Sequence, residues 1–256
     1  MKVGILGIGL TSLTLAKNLT NLGIWVDIIS DKRVLKNKTR TIGISKANAD
    51  FLNKEILDVN KFLWKINKIE IFTENLIEKK ILEFENNKNY LFALFRNDEV
   101  LNHLFLDLKK NKLVKFKNKF KIENYKLIIN CQKYSSLSKK LFFNKMEKNY
   151  NSFAYTTIIR HQKIIKNNVA FQIFTERGPL AFLPLSPQAT SIVFSARGKE
   201  EVNLKYLIEK YGKKYSLKKI DKIEKFQINS NNLRIYYYKN ILAFGDLLHQ
   251  IHPLAG

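Results

Sequence analysis

The sequence predicts an α/β fold in which a nucleotide-binding βαβ unit is interrupted by β-rich segments and resumed at the very end. Two observations carry that prediction. Residues 2–6 are a short apolar strand, Gly7-Ile8-Gly9 is a turn, and Leu10, Leu13, Ala16, Leu19 and Leu22 then recur at helical spacing until Gly23 stops the run. From residue 152 onward the pattern changes to short β runs, and 240–244 returns to a buried strand.

The elements follow in order. After the first helix, 25–29 is a second apolar strand, which completes a βαβ opening and predicts parallel strands covered by helices. Ser45 is placed to cap a helix running through Phe51 toward Leu57. Ile69 and Ile71, then 81–84, then 90–95 read as strands separated by Asn- and Lys-rich turns. Residues 100–108 return to helix, and 126–130 are another apolar strand. Strands are expected at 153–160, 169–175, 180–185 and 191–196, a helix at 200–214, and further strands at 226–228 and 233–238. No internal repeat or low-complexity linker interrupts this order.

Composition narrows the classes of function. At 45% hydrophobic residues the chain buries a core and is not disordered. The 45 Lys and Arg outweigh 22 Asp and Glu, giving a formal charge of +23, but the lysines are spread along the chain among asparagines and form no dominant run. That spread reads as a compositional bias with some attraction to anionic lipid, and no specific nucleic-acid partner is expected. One cysteine, Cys131, excludes an internal disulfide and any multi-cysteine zinc site, which fits a reducing, cytoplasmic compartment. No apolar run is long enough for a membrane span.

Three motifs carry chemistry. In Gly7-Ile8-Gly9-Leu10-Thr11-Ser12 the first glycine permits a tight turn, and the second lets backbone N–H groups at a helix N-terminus approach a diphosphate. Ser12 stands where a third glycine gives close packing. The acid that binds an adenosine ribose belongs at the end of the second strand, which by count is Ser30; Asp31, next in line, is either that acid or a solvated turn residue. The closing string GDLLHQIHPLAG supplies Gly245 and Asp246 just past a buried strand, with Asp246 placed to accept hydrogen bonds from hydroxyl groups. His249 and His252 are either a metal pair sharing a helical face or loop histidines; a metal site needs three or four ligands, and none is assigned. The third motif is Gly178-Pro179-Leu180-Ala181-Phe182-Leu183-Pro184-Leu185, a turn followed by an apolar strand.

Taken together, the N-terminal glycine turn, Thr39-Arg40-Thr41-Ile42-Gly43-Ile44-Ser45, GPLAFLPL and GDLLHQIHPLAG resemble, in order and approximate spacing, the FAD-dependent aromatic-ring hydroxylases, specifically the ubiquinone-biosynthesis branch. The resemblance implies a Rossmann-like FAD-binding domain (1–65, 96–146 and 239–256) interleaved with a β-rich, α+β substrate domain (66–95 and 147–238). It implies cofactor contacts from Gly7, Gly9, Ser12, Asp31, Arg40, Asn97, Gly245, Asp246, Pro253, Ala255 and Gly256: diphosphate at the first turn, ribityl hydroxyls at Asp246 and Asn97, and the flavin ring beside Pro253 to Gly256, where a helix begins. It also implies that the family's chain continues beyond residue 256.

The implied reaction is hydroxylation of a polyprenylated phenolic ring through a flavin hydroperoxide, with NAD(P)H as reductant and no fixed catalytic residue. Partners would be a hydrophobic phenolic quinone precursor and a biosynthetic complex or the membrane surface. Such a substrate would need an apolar tunnel along Phe171, Phe174, Phe182 and Phe194, although each of these aromatics taken singly reads rather as ordinary sheet core. The run Asn130-Cys131-Gln132-Lys133 departs from the family, which carries Asp-Gly where this chain has Gln132-Lys133. That departure bears on NAD(P)H use and keeps a second reading open, a degenerate, non-catalytic flavoprotein-like partner; a basic nucleic-acid-binding protein is a third.

Overall fold

The structure, a computed structural model, describes residues 2–30, 40–76, 79–198 and 201–251. In chain order the elements are β1 (Lys2–Leu6), α1 (Leu10–Asn21), β2 (Trp25–Ile29), β3 (Thr41–Ser45), α2 (Lys46–Phe51), β4 (Trp64–Ile66), β5 (Lys68–Thr73), β6 (Leu82–Glu85), β7 (Phe92–Arg96), α3 (Asn97–Lys110), β8 (Val114–Lys117), β9 (Leu127–Asn130) and α4 (Ser136–Leu141). There follow β10 (Lys145–His161), β11 (Val169–Thr175), β12 (Gly178–Ser186), β13 (Ala189–Arg197), α5 (Leu204–Tyr211), β14 (Leu217–Ile220), β15 (Glu224–Leu233), β16 (Tyr237–Tyr238), β17 (Ile241–Ala243) and β18 (His249–Gln250).

Three sheets organise them. A six-stranded sheet runs β16-β17-β9-β1-β2-β8, parallel throughout except for β16. Its central strands β1, β2 and β9 are buried on both faces, as their near-continuous apolar runs require. One face packs on α1 and α3 through Leu13, Ala16, Leu101, Leu104 and Leu108; the other holds Ile128, Phe142, Ile241 and Leu247. Asp27 sits buried on β2, bonded by Lys117 Nζ at 2.7 Å, Lys2 Nζ at 3.2 Å and Tyr125 Oη at 2.8 Å. Burial works to raise the pKa of its carboxyl, and the three donors outweigh it, holding the group below its ordinary range. A nine-stranded, mostly antiparallel sheet runs β18-β15-β10-β13-β12-β11-β5-β6, with β14 beside β10. A three-stranded sheet, β3-β7-β4, lies between them in sequence and joins the large sheet by Thr41 Oγ1 to Ser191 Oγ, 2.9 Å.

Several expectations are corrected here. The helix expected over 200–214 is shorter, because Asn203 caps it by accepting from the Tyr206 amide at 3.0 Å and Gly212 follows its last turn. No single strand spans 233–238: β15 ends at Leu233, the Arg234 amide turns to the Asn144 carbonyl at 2.9 Å, and the chain crosses to the other sheet before β16. The strand expected at 153–160 begins eight residues earlier, because 145–149 pairs with 229–233 on β15. β14, Leu-Lys-Lys-Ile, carries no alternating pattern, and the alternating runs of β3, β4 and β8 are only three to five residues long; their pairing with β10, β7 and β2 makes them strands. The Ser45 cap is present, its hydroxyl accepting from the Asn48 amide at 3.2 Å, though α2 passes into a π-helical turn over Leu52–Ile56.

Candidate functional site

Two features meet at one residue. The first is the glycine turn between β1 and α1. Gly7 has φ +119°, a conformation that a side chain would strain, and its amide bonds the Ile29 carbonyl at 2.9 Å, which fixes the turn against β2. A Cβ built on Gly9 meets nothing within 4 Å, so the space in front of the helix start is open. Gly9 is the N-cap residue, no side chain caps α1, and the first turn holds no acid. The 12-residue helix therefore presents uncapped N–H groups and its positive end to that space, a fit for a diphosphate. Ser12 is buried and its hydroxyl turns back to the Gly9 carbonyl at 2.8 Å. It fills the place of the missing glycine and does not point outward.

The closing segment packs against this turn. Gly245 has φ +65°, and a Cβ built there would lie 2.9 Å from Thr11 Cγ2. Sheet order explains the approach: β17 pairs with β9 and β9 with β1, and the Phe244 amide bonds the Asn130 carbonyl at 2.9 Å. Asp246 follows, exposed, and its negative charge acts on Cys131. Burial first, and that carboxylate second, push the Cys131 thiol pKa up to about 12. Beneath Gly7 lie Gln132 and Cys131, while Lys133 Nζ reaches Gln250 Oε1. The run that departs from the expected pattern thus ties the first turn to the closing segment. Asn130 Oδ1 accepts from the Gln132 amide at 3.0 Å, and Asn130 Nδ2 donates to Ser138 Oγ at 2.9 Å.

The second feature is a cavity of about 740 Å³ between the large sheet and the three-stranded sheet. Its floor is formed by residues of β10, β11, β12, β13 and β15, its roof by β3 and β7. Small residues make the room: Ala154, Ala170, Ala181, Val193 and Ser195 on the floor, Gly43 in the roof. Arg40 and Asp246 are the ionisable side chains among the described lining residues. Arg40 is placed through its carbonyl, which accepts from the Asn97 amide at 3.0 Å where α3 begins. Thr156 Oγ1 and Asn229 Oδ1 are buried with no hydrogen-bond partner among the described residues.

Gly7, Gly9, Ser12, Gly245 and Asp246 are therefore brought together, and Arg40 and Asn97 adjoin each other at the cavity's roof. Asp31, Pro253, Ala255, Gly256 and His252 lie outside the described residues. His249 is on a two-residue strand paired with Asn232, so no helical face carries it. The expected aromatic tunnel is corrected. Phe182 and Phe194 are fully buried against α5, and Phe174 is exposed. Phe171 borders the cavity, but its ring stacks on Phe182 at 4.3 Å. Alternation is the reason: Phe171, Phe182 and Phe194 project to one face of the sheet, and Gln172, Ala181 and Val193 to the other. The polar lining of Thr156, Gln172, Ser195 and Asn229 was not singled out from sequence. The period-2 signal that places Thr156 and Ser195 is visible there only once the register is known.

No protein-family model matches the sequence, and no curated protein does. Solved structures do. p-Nitrophenol 4-monooxygenase PnpA from Pseudomonas putida DLL-E4 superimposes with a TM-score of 0.79 at 12% identity, over 99% of this chain and 74% of that one. The fold is that of the aromatic-ring monooxygenases. CtdE, solved in complex with FAD and a substrate, gives 0.76 at 12% identity over 99% and 76% of the two chains. A variant of 2-methyl-3-hydroxypyridine-5-carboxylic acid oxygenase gives 0.79 at 12% identity over 98% and 76%. At these identities the likeness is one of fold.

Proposed function

We propose that this chain binds FAD across its first glycine turn and its closing segment and hydroxylates an aromatic ring held in the neighbouring cavity. One observation carries the reading. Gly245 packs on Thr11 of the nucleotide-type turn, and the next residue, Asp246, lines an aromatic-sized cavity, so the turn and the cavity share a border one residue wide. The solved relatives of this fold, one of them holding FAD, support it.

When bound, FAD supplies the redox chemistry and the activation of O₂. The residues of the chain bind, orient and exclude water. The N–H groups at the start of α1 hold the diphosphate, with Gly9 leaving room for close approach. Asp246 accepts hydrogen bonds from the ribityl chain, and Arg40 at the roof faces phosphate or the flavin edge. The apolar walls, Leu91, Phe92, Leu94 and Leu183 among them, keep the ring dry and position it. No side chain of the cavity is assigned as catalytic acid or base.

The finer reading is a polyprenylated phenol of ubiquinone biosynthesis, with NAD(P)H as reductant. Its support is the GPLAFLPL segment, which forms β12 and gives Pro179, Ala181 and Leu183 to the cavity floor. Peripheral association with an anionic membrane, or a place in a biosynthetic complex, accords with the exposed Ile235, Tyr236, Tyr237 and Tyr238 beside exposed lysines. No helix among the described residues is long and apolar enough to cross a membrane. The non-catalytic reading rests on Lys133, whose ammonium is held at Gln250 on the cavity rim.

Absorption of the purified chain, followed by FAD titration, decides between these. A yellow protein, with Asp246→Ala lowering FAD affinity at least tenfold, supports the proposal. A colourless chain that cannot be reconstituted with FAD ends it.

A further inference from the structure

The loop 162–168 joins β10 to β11 at one corner of the large sheet, beside the turn 212–216 that leads from α5 into β14. Four hydrogen bonds fix it. The Gln162 amide donates to the Ser216 carbonyl at 2.9 Å and the Ile164 amide to the Pro187 carbonyl at 2.8 Å. Asn167 Nδ2 donates to the Ser186 carbonyl at 2.7 Å, and Trp64 Nε1 to the Asn167 carbonyl at 2.6 Å. Of the two isoleucines in the loop, Ile164 packs against the core and Ile165 is 84% exposed, the largest exposure of any large apolar side chain among the described residues. A backbone held at four points keeps that side chain outward as a fixed apolar tip.

Lysines border the tip. Lys163 and Lys166 flank it in sequence, and Lys213, Lys214, Lys218 and Lys219 come from the adjoining turn and β14; all six are exposed. Neither segment, 162–168 or 212–219, contains an acid. Lys163, Lys166, Lys213 and Lys218 are in no ion pair among the described residues, whereas Lys219 lies 3.9 Å from Asp221 and the charge of Glu70 acts on Lys214. The acids of the neighbouring strands β5 and β6 are already answered. Lys68 Nζ stands 3.7, 3.0 and 3.7 Å from Glu70, Glu83 and Glu85, and Lys80 pairs with Glu70 and Glu83.

An aliphatic tip among unneutralised lysines selects its partner. An anionic bilayer answers both features, its acyl chains taking the isoleucine and its phosphates the ammonium groups. A nucleic acid answers only the charge, since neither segment offers an arginine or an exposed ring on which a base could stack. A second copy of the chain would set like charge against like. The corner also adjoins the apolar end of the cavity. Trp64, bonded to the loop at Asn167, packs with Phe92, Leu94, Ala170 and Leu183, and these four line the cavity. Gln250 lines its other side, on β18 at the far edge of the sheet order.

We infer that this corner is the membrane-docking surface of the chain: Ile165 enters the acyl boundary of an anionic bilayer, the bordering lysines bind its phosphates, and the apolar end of the cavity is held next to the lipid. This gives the peripheral association proposed above a surface, distinct from the exposed run Ile235 to Tyr238, and rests on that reading.

Cosedimentation of the full chain with phosphatidylcholine vesicles, pure or containing one-third phosphatidylserine, tests it. The wild type is expected to bind the anionic vesicles about tenfold or more tightly than the neutral ones, with the preference falling as salt rises. Ile165→Ser should lower that affinity about fivefold to tenfold. Lys163→Gln, Lys166→Gln, Lys213→Gln and Lys218→Gln together should remove the preference for anionic lipid. Tyr237→Ser should leave affinity and preference unchanged. All these positions are exposed, and circular dichroism of each variant checks that the fold is kept. In Ile165→Trp the new emission should shift to the blue on vesicle binding and be quenched by brominated lipid. FAD uptake, titrated on the same samples, should be the same in every variant. Binding that survives Ile165→Ser and the lysine replacements but falls in Tyr237→Ser overturns the inference and leaves peripheral association standing. No binding to anionic vesicles refutes both. Vesicle binding matched by a single-stranded RNA oligonucleotide and indifferent to Ile165→Ser overturns the inference in favour of a nucleic-acid partner.

Discussion

Replacing Gly245 with alanine tests the contact on which the site is built. The residue has φ +65°, where an alanine costs roughly 1–2 kcal/mol. The new methyl would lie 2.9 Å from Thr11 Cγ2, well inside ordinary contact, and Thr11 is an exposed side chain able to rotate, so relief costs about 1 kcal/mol. The less flexible unfolded chain returns about 0.7 kcal/mol. The net expectation is a loss of about 2 kcal/mol, a sizeable part of a typical domain's stability. Thr11→Ser deletes the offending methyl and leaves Cβ–Cβ contact at 3.5 Å, so the double variant should recover about 1 kcal/mol, the steric part, and leave the backbone part. Urea unfolding of the four proteins measures this cycle, and FAD titration on the same samples should show Gly245→Ala binding several-fold more weakly, with partial recovery in the double variant. A coupling within about 0.5 kcal/mol of zero, the usual additivity limit, would mean that the closing segment does not rest on the first turn.

Two further outcomes are expected. With its thiol pushed up to about 12, Cys131 should react with iodoacetamide at pH 8 about a thousandfold more slowly than a free cysteine. Asp246→Asn should speed the reaction by a factor of a few; an unchanged rate would separate Asp246 from Cys131. His161 is buried, its Nδ1–H donating to the Gln162 carbonyl at 2.8 Å and its Nε2 accepting from Thr190 at 3.0 Å. Burial, then Lys214, lowers its pKa against the opposing pull of the Gln162 carbonyl. A lowered folded pKa means that the unfolded chain takes up the proton first, so stability is full above about pH 6.5 and falls as the pH drops from there to the folded value, by up to about 1.4 kcal/mol per unit. His161→Gln should flatten that part of the urea-unfolding profile; an identical slope in both proteins would refute the assignment.

Much of the α/β half was legible because its signals are local. The spacing from Leu10 to Leu22 fixes α1, the Gly7 and Gly9 pair fixes the turn before it, and the strands at 25–29 and 127–130 are apolar runs that only a sheet covered on both faces can hide. Long-range features were not legible. The strand at 41–45 is glycine-containing and half-exposed, and it is a strand because 92–96 pairs with it. The aromatic residues that read as a tunnel are core, since a one-residue change of phase exchanges the two faces of a strand and no local pattern states which face a ligand sees.

The order of the chemistry-bearing residues was set in the sequence: glycines that admit φ values closed to other residues, an aspartate after a buried strand, and one cysteine with no second to pair with. Tertiary structure decided what those residues face. Only the pairing of β17 with β9 and of β9 with β1 sets Gly245 on Thr11, across more than two hundred positions of chain, and only the register of β10 to β13 leaves Thr156 unpaired in a bed of small side chains. The physical reason is that a backbone conformation is chosen by neighbours in sequence, whereas a cavity and its contacts are chosen by neighbours in space.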